Sequence, residues 1–251
     1  MSKPSTASRA DAGTAPELAV VMPVYNEAAV VGDVLRGWVA ELDRLAIGFE
    51  IRAYDDGSED ATWEILRQMS EEEPGILPVR QSRRGHGPTV LRGYREASAE
   101  WVFQVDSDGE LPCAGFEELW RRRQDYDLLL GWRRNRRPSG GRRLVTAVAR
   151  TGVRWLFGGA IRDVNVPFRL MRRSVLDRLL TDVPETAFAP NVLLSGLAVR
   201  SGLRIYQAPV DDRVRPAGSG SLNSLRLLRG ATRSLVELIG VALRRRRGES
   251  R

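Results

Sequence analysis

The sequence predicts an α/β protein with a mostly parallel central sheet between two layers of helices. Two patterns carry that prediction. From Leu18 to about Gly131, short apolar or β-branched runs alternate with amphipathic stretches, the βαβα order of a parallel sheet. Each of the first four apolar runs is followed at once by a polar cluster, and ligands of open α/β sheets lie beyond the carboxyl ends of the strands.

The elements follow in order. Leu18–Val24 is the first strand and the amphipathic stretch Glu27–Leu45 the first helix. Phe49–Tyr54 is the second strand, and Asp60, a residue type that caps helices, opens a second helix over Asp60–Glu72. Ile76–Arg80 is the third strand; Pro88, suited to a first helical turn, opens a third helix over Pro88–Ala99. Trp101–Val105, Cys113–Gln124 and Asp127–Leu130 supply a strand, a helix and a fifth strand. The second half is less regular, with helices at Arg142–Phe157, Ser174–Leu180 and Asn191–Ser201 and strands at Asn165–Met171 and Arg204–Ala208. A Gly/Ser/Pro-rich loop, Arg215–Ser221, precedes a long amphipathic helix, Leu222–Leu243, that ends in Arg244–Arg247. The organisation expected is a disordered tail over residues 1–16, one catalytic domain over 17–221, and a C-terminal helix with a basic tail over 222–251.

Composition narrows the function. With 251 residues, 42% hydrophobic and 28% charged, the chain can bury a core. No run approaches the roughly 18 apolar residues of a membrane span, and the N-terminus lacks the apolar core of a secretory signal, so a cytoplasmic location is expected. Cys113 is the only cysteine and His86 the only histidine, so any bound metal is held by oxygen. Lys3 is the only lysine; the net charge of +7 is carried by arginine, the planar, bidentate binder of phosphate. The partner expected is anionic.

Four polar clusters converge on one sheet edge: Pro23-Val24-Tyr25-Asn26-Glu27, Asp55-Asp56-Gly57-Ser58-Glu59-Asp60, Arg83-Arg84-Gly85-His86-Gly87 and Asp106-Ser107-Asp108-Gly109-Glu110. Alternation at a strand end aims Asp106 and Asp108 the same way, and with Glu110 nearby they suit Mg²⁺ or Mn²⁺ that shares its remaining sites with phosphate oxygens. The loop Arg83–Gly87 can meet a diphosphate, its glycines allowing close backbone approach and Arg84 or His86 supplying charge.

In these motifs the chain resembles the family 2 glycosyltransferases of the nucleotide-diphospho-sugar-binding GT-A fold. Within them it is similar to the dolichyl/polyprenyl-phosphate sugar synthase branch. The resemblance covers about Leu18 to Val210 and rests on Val20-Val21-Met22-Pro23-Val24-Tyr25-Asn26-Glu27, Tyr54-Asp55-Asp56-Gly57-Ser58, Gln104 to Glu110, and Asp163-Val164-Asn165-Val166-Pro167-Phe168-Arg169-Leu170-Met171. It implies a three-layer α/β/α fold in which Pro23, Tyr25 and Glu27 line the base and ribose pocket. Asp56 would contact the nucleoside, and Asp106 and Asp108 would hold the metal on the diphosphate. Where Glu110 stands, the family often has Gln; the extra carboxylate is a candidate third ligand. Related synthases tend to carry a lysine near the position of His86.

The run Trp132–Arg143 follows the fifth strand, and in the related family this region helps receive a phosphorylated acceptor. Arg133, Arg169 and Arg172 are the candidates for acceptor-phosphate contacts. The implied reaction moves a sugar from a UDP- or GDP-linked donor to a polyprenyl phosphate, with inversion at the anomeric carbon. A phosphate acceptor is already largely deprotonated and needs no base; an alcohol would need one, and Asp163 or Glu185 are the candidates. Asp163 serves equally as an anchor of the acceptor loop. A soluble acceptor is the alternative. An Arg-rich nucleic-acid-binding protein fits the charge but leaves the acidic triplet beside the arginines unexplained. The C-terminal helix either packs on the domain or lies on an anionic membrane at the inner face of the plasma membrane.

Overall fold

The computed structural model describes residues 15–134, 147, 151–158, 161–212 and 232–243. The apolar runs become β1 (Leu18–Val24), β2 (Phe49–Asp55), β3 (Ile76–Arg80) and β4 (Trp101–Val105). With β5 (Leu128–Arg133), β6 (Phe168–Arg172) and β7 (Ile205–Val210) they form a seven-stranded sheet in the order β3-β2-β1-β4-β6-β5-β7. Every pairing is parallel except those of β6, which runs against both β4 and β5. β1 and β4 are buried at every position, which is why they read as unbroken apolar runs rather than as alternation.

The helices are α1 (Val31–Arg44), α2 (Thr62–Glu72), α3 (His86–Glu96), α4 (Phe116–Arg121), α5 (151–157), α6 (Arg173–Leu180), α7 (Pro190–Arg200) and α8 (232–243). α1, α2 and α4 form one layer, and α3, α6 and α7 the other. The first layer is sealed by rings: Trp38 of α1 and Phe116 of α4 meet Phe103 of β4 at 5.2 and 4.7 Å between centroids, and Phe168 of β6 meets the same ring at 4.9 Å. On the other face α3 lies so close to the sheet at Gly93 that a Cβ there would stand 2.3 Å from Val21 Cγ1 and 2.9 Å from Tyr54 Cε2. α8 adds Leu238, Val241 and Ala242 to the same core, so this part of the C-terminal helix packs on the domain.

Several boundaries differ from expectation. α1 starts at Val31 rather than Glu27 because Asn26 takes a φ of 53° and the N–H groups of Val30 and Val31 both donate to Glu27 O, a turn that delays the helix. α3 starts at His86, which leaves Pro88 inside the first turn, and stops at Glu96, where Ala97 is extended. Cys113–Gln124 is shorter than expected, a 3₁₀ turn at Cys113–Gly115 followed by α4. β6 starts at Phe168 rather than Asn165, since Asp163 Oδ1 accepts from Asn165 N (3.3 Å) and turns the chain there. β5 and β7 run on to Arg133 and Val210. The tail over residues 1–14, the arginines of 135–143, most of residues 142–150 of the expected helix Arg142–Phe157 and most of the segment 213–251 lie outside the described residues.

Gly93→Ala is expected to cost about 1–3 kcal/mol, because β1 and α3 cannot separate without opening the core; urea denaturation measures it.

Candidate active site

Parallel strands bring the carboxyl ends of β1, β2 and β4 to one edge, and the loops there are stitched together. Asn26 N donates to Ser58 Oγ (3.0 Å), Glu59 N to Asn26 Oδ1 (2.8 Å), Glu27 N to Thr62 Oγ1 (2.9 Å) and Ala28 N to Asp60 Oδ2 (3.2 Å). Asp56, nearly buried, accepts from Gln81 Nε2, Arg84 N and Gly85 N, all at 2.8 Å. Its carboxylate thereby sets the path of the loop that carries Arg83 and His86. The Arg83 guanidinium lies 3.8 Å from the Tyr25 ring centroid and donates to the Tyr25 hydroxyl.

Pro23, Tyr25, Glu27, Asp56, His86, Asp106 and Asp108 line one open cleft of about 250 Å³, and Arg83 lines it with them. At its floor Asp106 Oδ1 accepts from Gln104 Nε2 (3.0 Å) and stands 3.8 Å from His86 Nε2. The loss of water around the Asp106 carboxyl pushes its pKa up; His86 and Arg133 pull it down, and Asp108 and Glu110 push it up further. Asp108 Oδ1 accepts from Glu110 N (3.0 Å) across a turn whose Gly109 has a φ of 68°. Among the described residues no three His, Cys, Asp or Glu side chains gather closely enough to hold a metal unaided. Glu110 therefore does not complete a three-carboxylate set. Two strand-end carboxylates in an acidic field still fit a hard divalent cation that takes its other ligands from phosphate and water.

Arg133, at the end of β5, donates to Asp163 Oδ2 (3.1 Å) in a pair that is 13% and 8% exposed. Asp163 gives its other oxygen to Asn165 N, an anchoring geometry.

Four expected residues stand elsewhere. Arg169 is fully buried and donates to the carbonyls of Val166, Asn191 and Val164 at 3.1, 3.2 and 3.2 Å, so it offers nothing to an acceptor. Arg172 sits at the opposite edge of the sheet, because β6 is antiparallel: Phe168 pairs with Val105, and Arg172 with Trp101. There it binds Glu100 and Gln124, both at 2.9 Å. Arg84 and Glu185 face a second cleft behind the loop, with Arg92 and Arg95. Arg83 takes the place on this cleft expected of Arg84.

Sequence reasoning also missed Gln81, which joins Asp56 to Thr89 Oγ1 (2.8 Å), and Asn191, whose Nδ2 donates to Gln104 Oε1 (2.9 Å). Gln104, a polar residue inside an apolar strand, was the one available signal of that buried network.

The family described as Glycosyl transferase family 2 matches residues 19–180. The chain belongs to glycosyl transferase family 2. A curated family member from Pseudomonas paraeruginosa, undecaprenyl-phosphate 4-deoxy-4-formamido-L-arabinose transferase, is 31% identical over 214 residues, 84% of this chain and 62% of the relative. The chain thus spans about three-fifths of the length of the curated relatives it matches. Glucosyl-3-phosphoglycerate synthase from Mycobacterium tuberculosis, solved with UDP, superposes with a TM-score of 0.66 at 20% identity over 90% of this chain and 80% of its own. A mannosyltransferase from Pyrobaculum calidifontis, solved with GDP-Man and Mn²⁺, gives 0.61 at 19% identity over 96% and 68%. These likenesses establish the GT-A fold expected of the family.

Asp106→Asn is expected to raise the melting temperature of the metal-free protein at neutral pH. A carboxyl whose pKa is raised by folding costs stability in full above the folded value, and nothing below the unfolded one, about 3.9. The gain should therefore vanish on acidification to that range, which melting curves in chelator across pH will read.

Proposed function

We propose that this protein is an inverting, metal-dependent glycosyltransferase that moves a sugar from a UDP- or GDP-linked donor to a polyprenyl phosphate. One observation carries the reading: a strand-end cleft that sets Asp106 and Asp108 against Arg83 and His86. Carboxylates and cations side by side suit a ligand of both signs, a diphosphate with a divalent cation.

In this reading Pro23, Tyr25 and Glu27 hold the base and ribose, Tyr25 releasing Arg83 as the base enters. Asp56 bounds the nucleoside end of the cleft and fixes the loop beside it. Mg²⁺ or Mn²⁺ would be held by Asp106 and Asp108, with Glu110 adding to the field; when bound, it neutralises charge on the departing nucleoside diphosphate. His86 and Arg83 donate to phosphate oxygens where negative charge develops, and Arg133, held by Asp163, faces the acceptor phosphate. The acceptor oxygen forms its bond to the anomeric carbon as the bond to the diphosphate breaks on the opposite side, which inverts the centre. An acceptor phosphate brings its own anionic oxygen, so the sugar transfer needs no base and Asp163 stays an anchor.

The polyprenyl phosphate is supported by the acceptor named in the curated relatives. Among the described residues no helix is long and apolar enough to cross a membrane; a lipid acceptor would bring the protein to a membrane surface.

UDP, GDP and TDP, each with and without Mn²⁺, are the first probes. One nucleotide is expected to raise the melting temperature by roughly 5–10 °C at a hundredfold excess over Kd, and only with metal. Asp108→Ala should abolish that shift while leaving the free protein folded. An undiminished shift in the variant overturns the metal assignment, and transfer to a phosphoglycerate but not to polyprenyl phosphate overturns the acceptor.

A further inference from the structure

Behind the loop that carries Arg83 and His86 lies the second open cleft, about 410 Å³ in volume, whose lining includes Arg84, Arg92, Arg95, Glu185 and Thr186. Its cationic wall follows from helix spacing. Pro88, Arg92 and Arg95 stand at i, i+4 and i+7 on α3, which puts them on one face, and Arg84 leads into that face from the loop before the helix. The segment between α6 and α7 completes the cleft with the Glu185 carboxylate and the Thr186 hydroxyl.

Elsewhere on the surface an arginine is commonly held by an acid one helical turn away, as at Arg36, Arg67, Arg121 and Arg122. Arg84 and Arg95 are different. Among the described residues neither forms an ion pair, although Glu185 lines the same cleft; Arg95 makes one long bond, from Nη2 to Val183 O (3.4 Å). Arg92 gives Nε to Glu96 (2.7 Å) and Nη1 to Gln81 Oε1 (3.0 Å), which leaves Nη2 for a ligand. Three guanidinium groups thus bring unused donors to one concave surface, and two of them have no carboxylate to offset their charge. Like charges gathered in a cleft attract an anion.

We propose that this cleft binds a phosphate monoester of a small polyhydroxyl compound, a sugar phosphate in chemical class. The guanidinium fork matches phosphate oxygens in pairs, and a phosphate monoester near neutral pH carries nearly the two charges that Arg84 and Arg95 leave unbalanced. Glu185 and Thr186 meet hydroxyl groups of the same molecule, the carboxylate accepting from them and repelling a ligand that is anionic throughout. The volume is that of a small-molecule site. Asp106, Asp108 and Arg133 do not line this cleft, so it is separate from the place of sugar transfer.

The two clefts share a wall. Arg83, Gly85 and His86 line the donor cleft, and Arg84 and Pro88 line the second. Asp56 fixes that wall by accepting from Arg84 N and Gly85 N, and Gln81 joins Arg92 to the same carboxylate, accepting from Arg92 Nη1 and donating to Asp56 Oδ1 (2.8 Å). A ligand that engages Arg84 and Arg92 therefore bears on the segment that sets Arg83 and His86, which is the position of an effector rather than of a substrate. Binding at this cleft does not depend on the reaction proposed above.

Calorimetric titration of the full chain tests it, with glucose 6-phosphate, inorganic phosphate and glucose as probes, each with and without UDP or GDP and Mn²⁺. Glucose 6-phosphate is expected to bind once per chain, about tenfold or more tighter than inorganic phosphate, with glucose silent and the nucleotides unable to compete. Arg84→Ser with Arg95→Ser is expected to weaken it by about tenfold or more, and Glu185→Ala to remove most of the preference over inorganic phosphate. All three side chains are exposed, so these variants should keep their melting temperatures. Arg36→Ser with Arg67→Ser takes the same charge from the other helix layer and should leave binding unchanged. An equal loss in that control, or no loss in the Arg84 and Arg95 variant, means attraction to net charge alone and overturns the proposal. Competition by a nucleotide, which puts the probe in the donor cleft, overturns it as well, as does the absence of glucose 6-phosphate binding. Binding that requires Arg84 and Arg95 in a protein that answers to no nucleotide supports the second cleft while removing the donor reading.

Discussion

The floor of the cleft depends on a guanidinium that never reaches solvent. Arg169 lies on β6 opposite Gln104 of β4, fully buried, with its donors satisfied by the carbonyls of Val164, Val166 and Asn191. A buried guanidinium is tolerable only when its hydrogen bonds are made, and losing one such partner costs far more than an exposed pair gains. Burial pushes its pKa down, against the opposing fields of Tyr94, Asp163 and Asp106. The bond to Asn191 O holds the start of α7 against the sheet, so that the Asn191 side chain meets both Tyr94 (2.9 Å) and Gln104 (2.9 Å). Gln104 then turns its amide to Asp106. A chain of polar groups thus runs from the middle of the sheet to the acidic triplet, and Asp106 is positioned from beneath rather than by its own loop.

The upper wall is fixed differently, by side chains of one loop accepting or donating to the backbone of the next. Asn26, Ser58, Asp60 and Thr62 bind the first two loops together, and Asp56 binds the third. Bonds of this kind, partly shielded from water, are worth about 1 kcal/mol each net and more when broken one-sidedly. The many arginine pairs on the surface do little by comparison: Arg36 and Asp33, for instance, are 61% and 87% exposed, a setting in which an ion pair contributes about 0–1 kcal/mol. Arginine richness here is a matter of partners and solubility more than of fold.

This division explains what the sequence could reveal. β1 and β4 were legible because a strand covered on both faces must be apolar throughout, and the polar sequels of β1 to β4 were legible because parallel strands deliver them to one edge. Asp106, Asp108, Tyr25 and His86 came from that rule. The rule fails where the direction of a strand changes. Arg169 and Arg172 flank the Phe168 motif in sequence, but β6 is the one antiparallel strand, so one arginine is sunk in the sheet and the other carried to the far edge. Nothing local records that reversal; it appears only when β6 inserts between β4 and β5. Arg83 and Arg84 show the same limit at smaller scale, since the sense of a loop residue depends on the bonds that Asp56 makes to the chain after it. Asn191, 87 residues from Gln104, had no signal at all beyond being polar in an apolar helix.

Electrostatics ties these observations to the chemistry proposed. In the free protein each cation of the site already has an internal counterpart: Arg83 rests on the Tyr25 ring, His86 faces Asp106, and Arg133 holds Asp163. A ligand must replace those contacts with better ones to bind. A polyanion would suit Arg83 and His86 but would leave phosphate against Asp106 and Asp108, whose mutual field already disfavours ionisation of Asp106. A cation alone would relieve the carboxylates and repel the guanidinium groups. A diphosphate that carries a divalent cation satisfies both sets at once, and it separates His86 from Asp106 without leaving either unpaired. The Arg133–Asp163 pair, 13% and 8% exposed, is too enclosed to open cheaply and stays intact when the cleft fills.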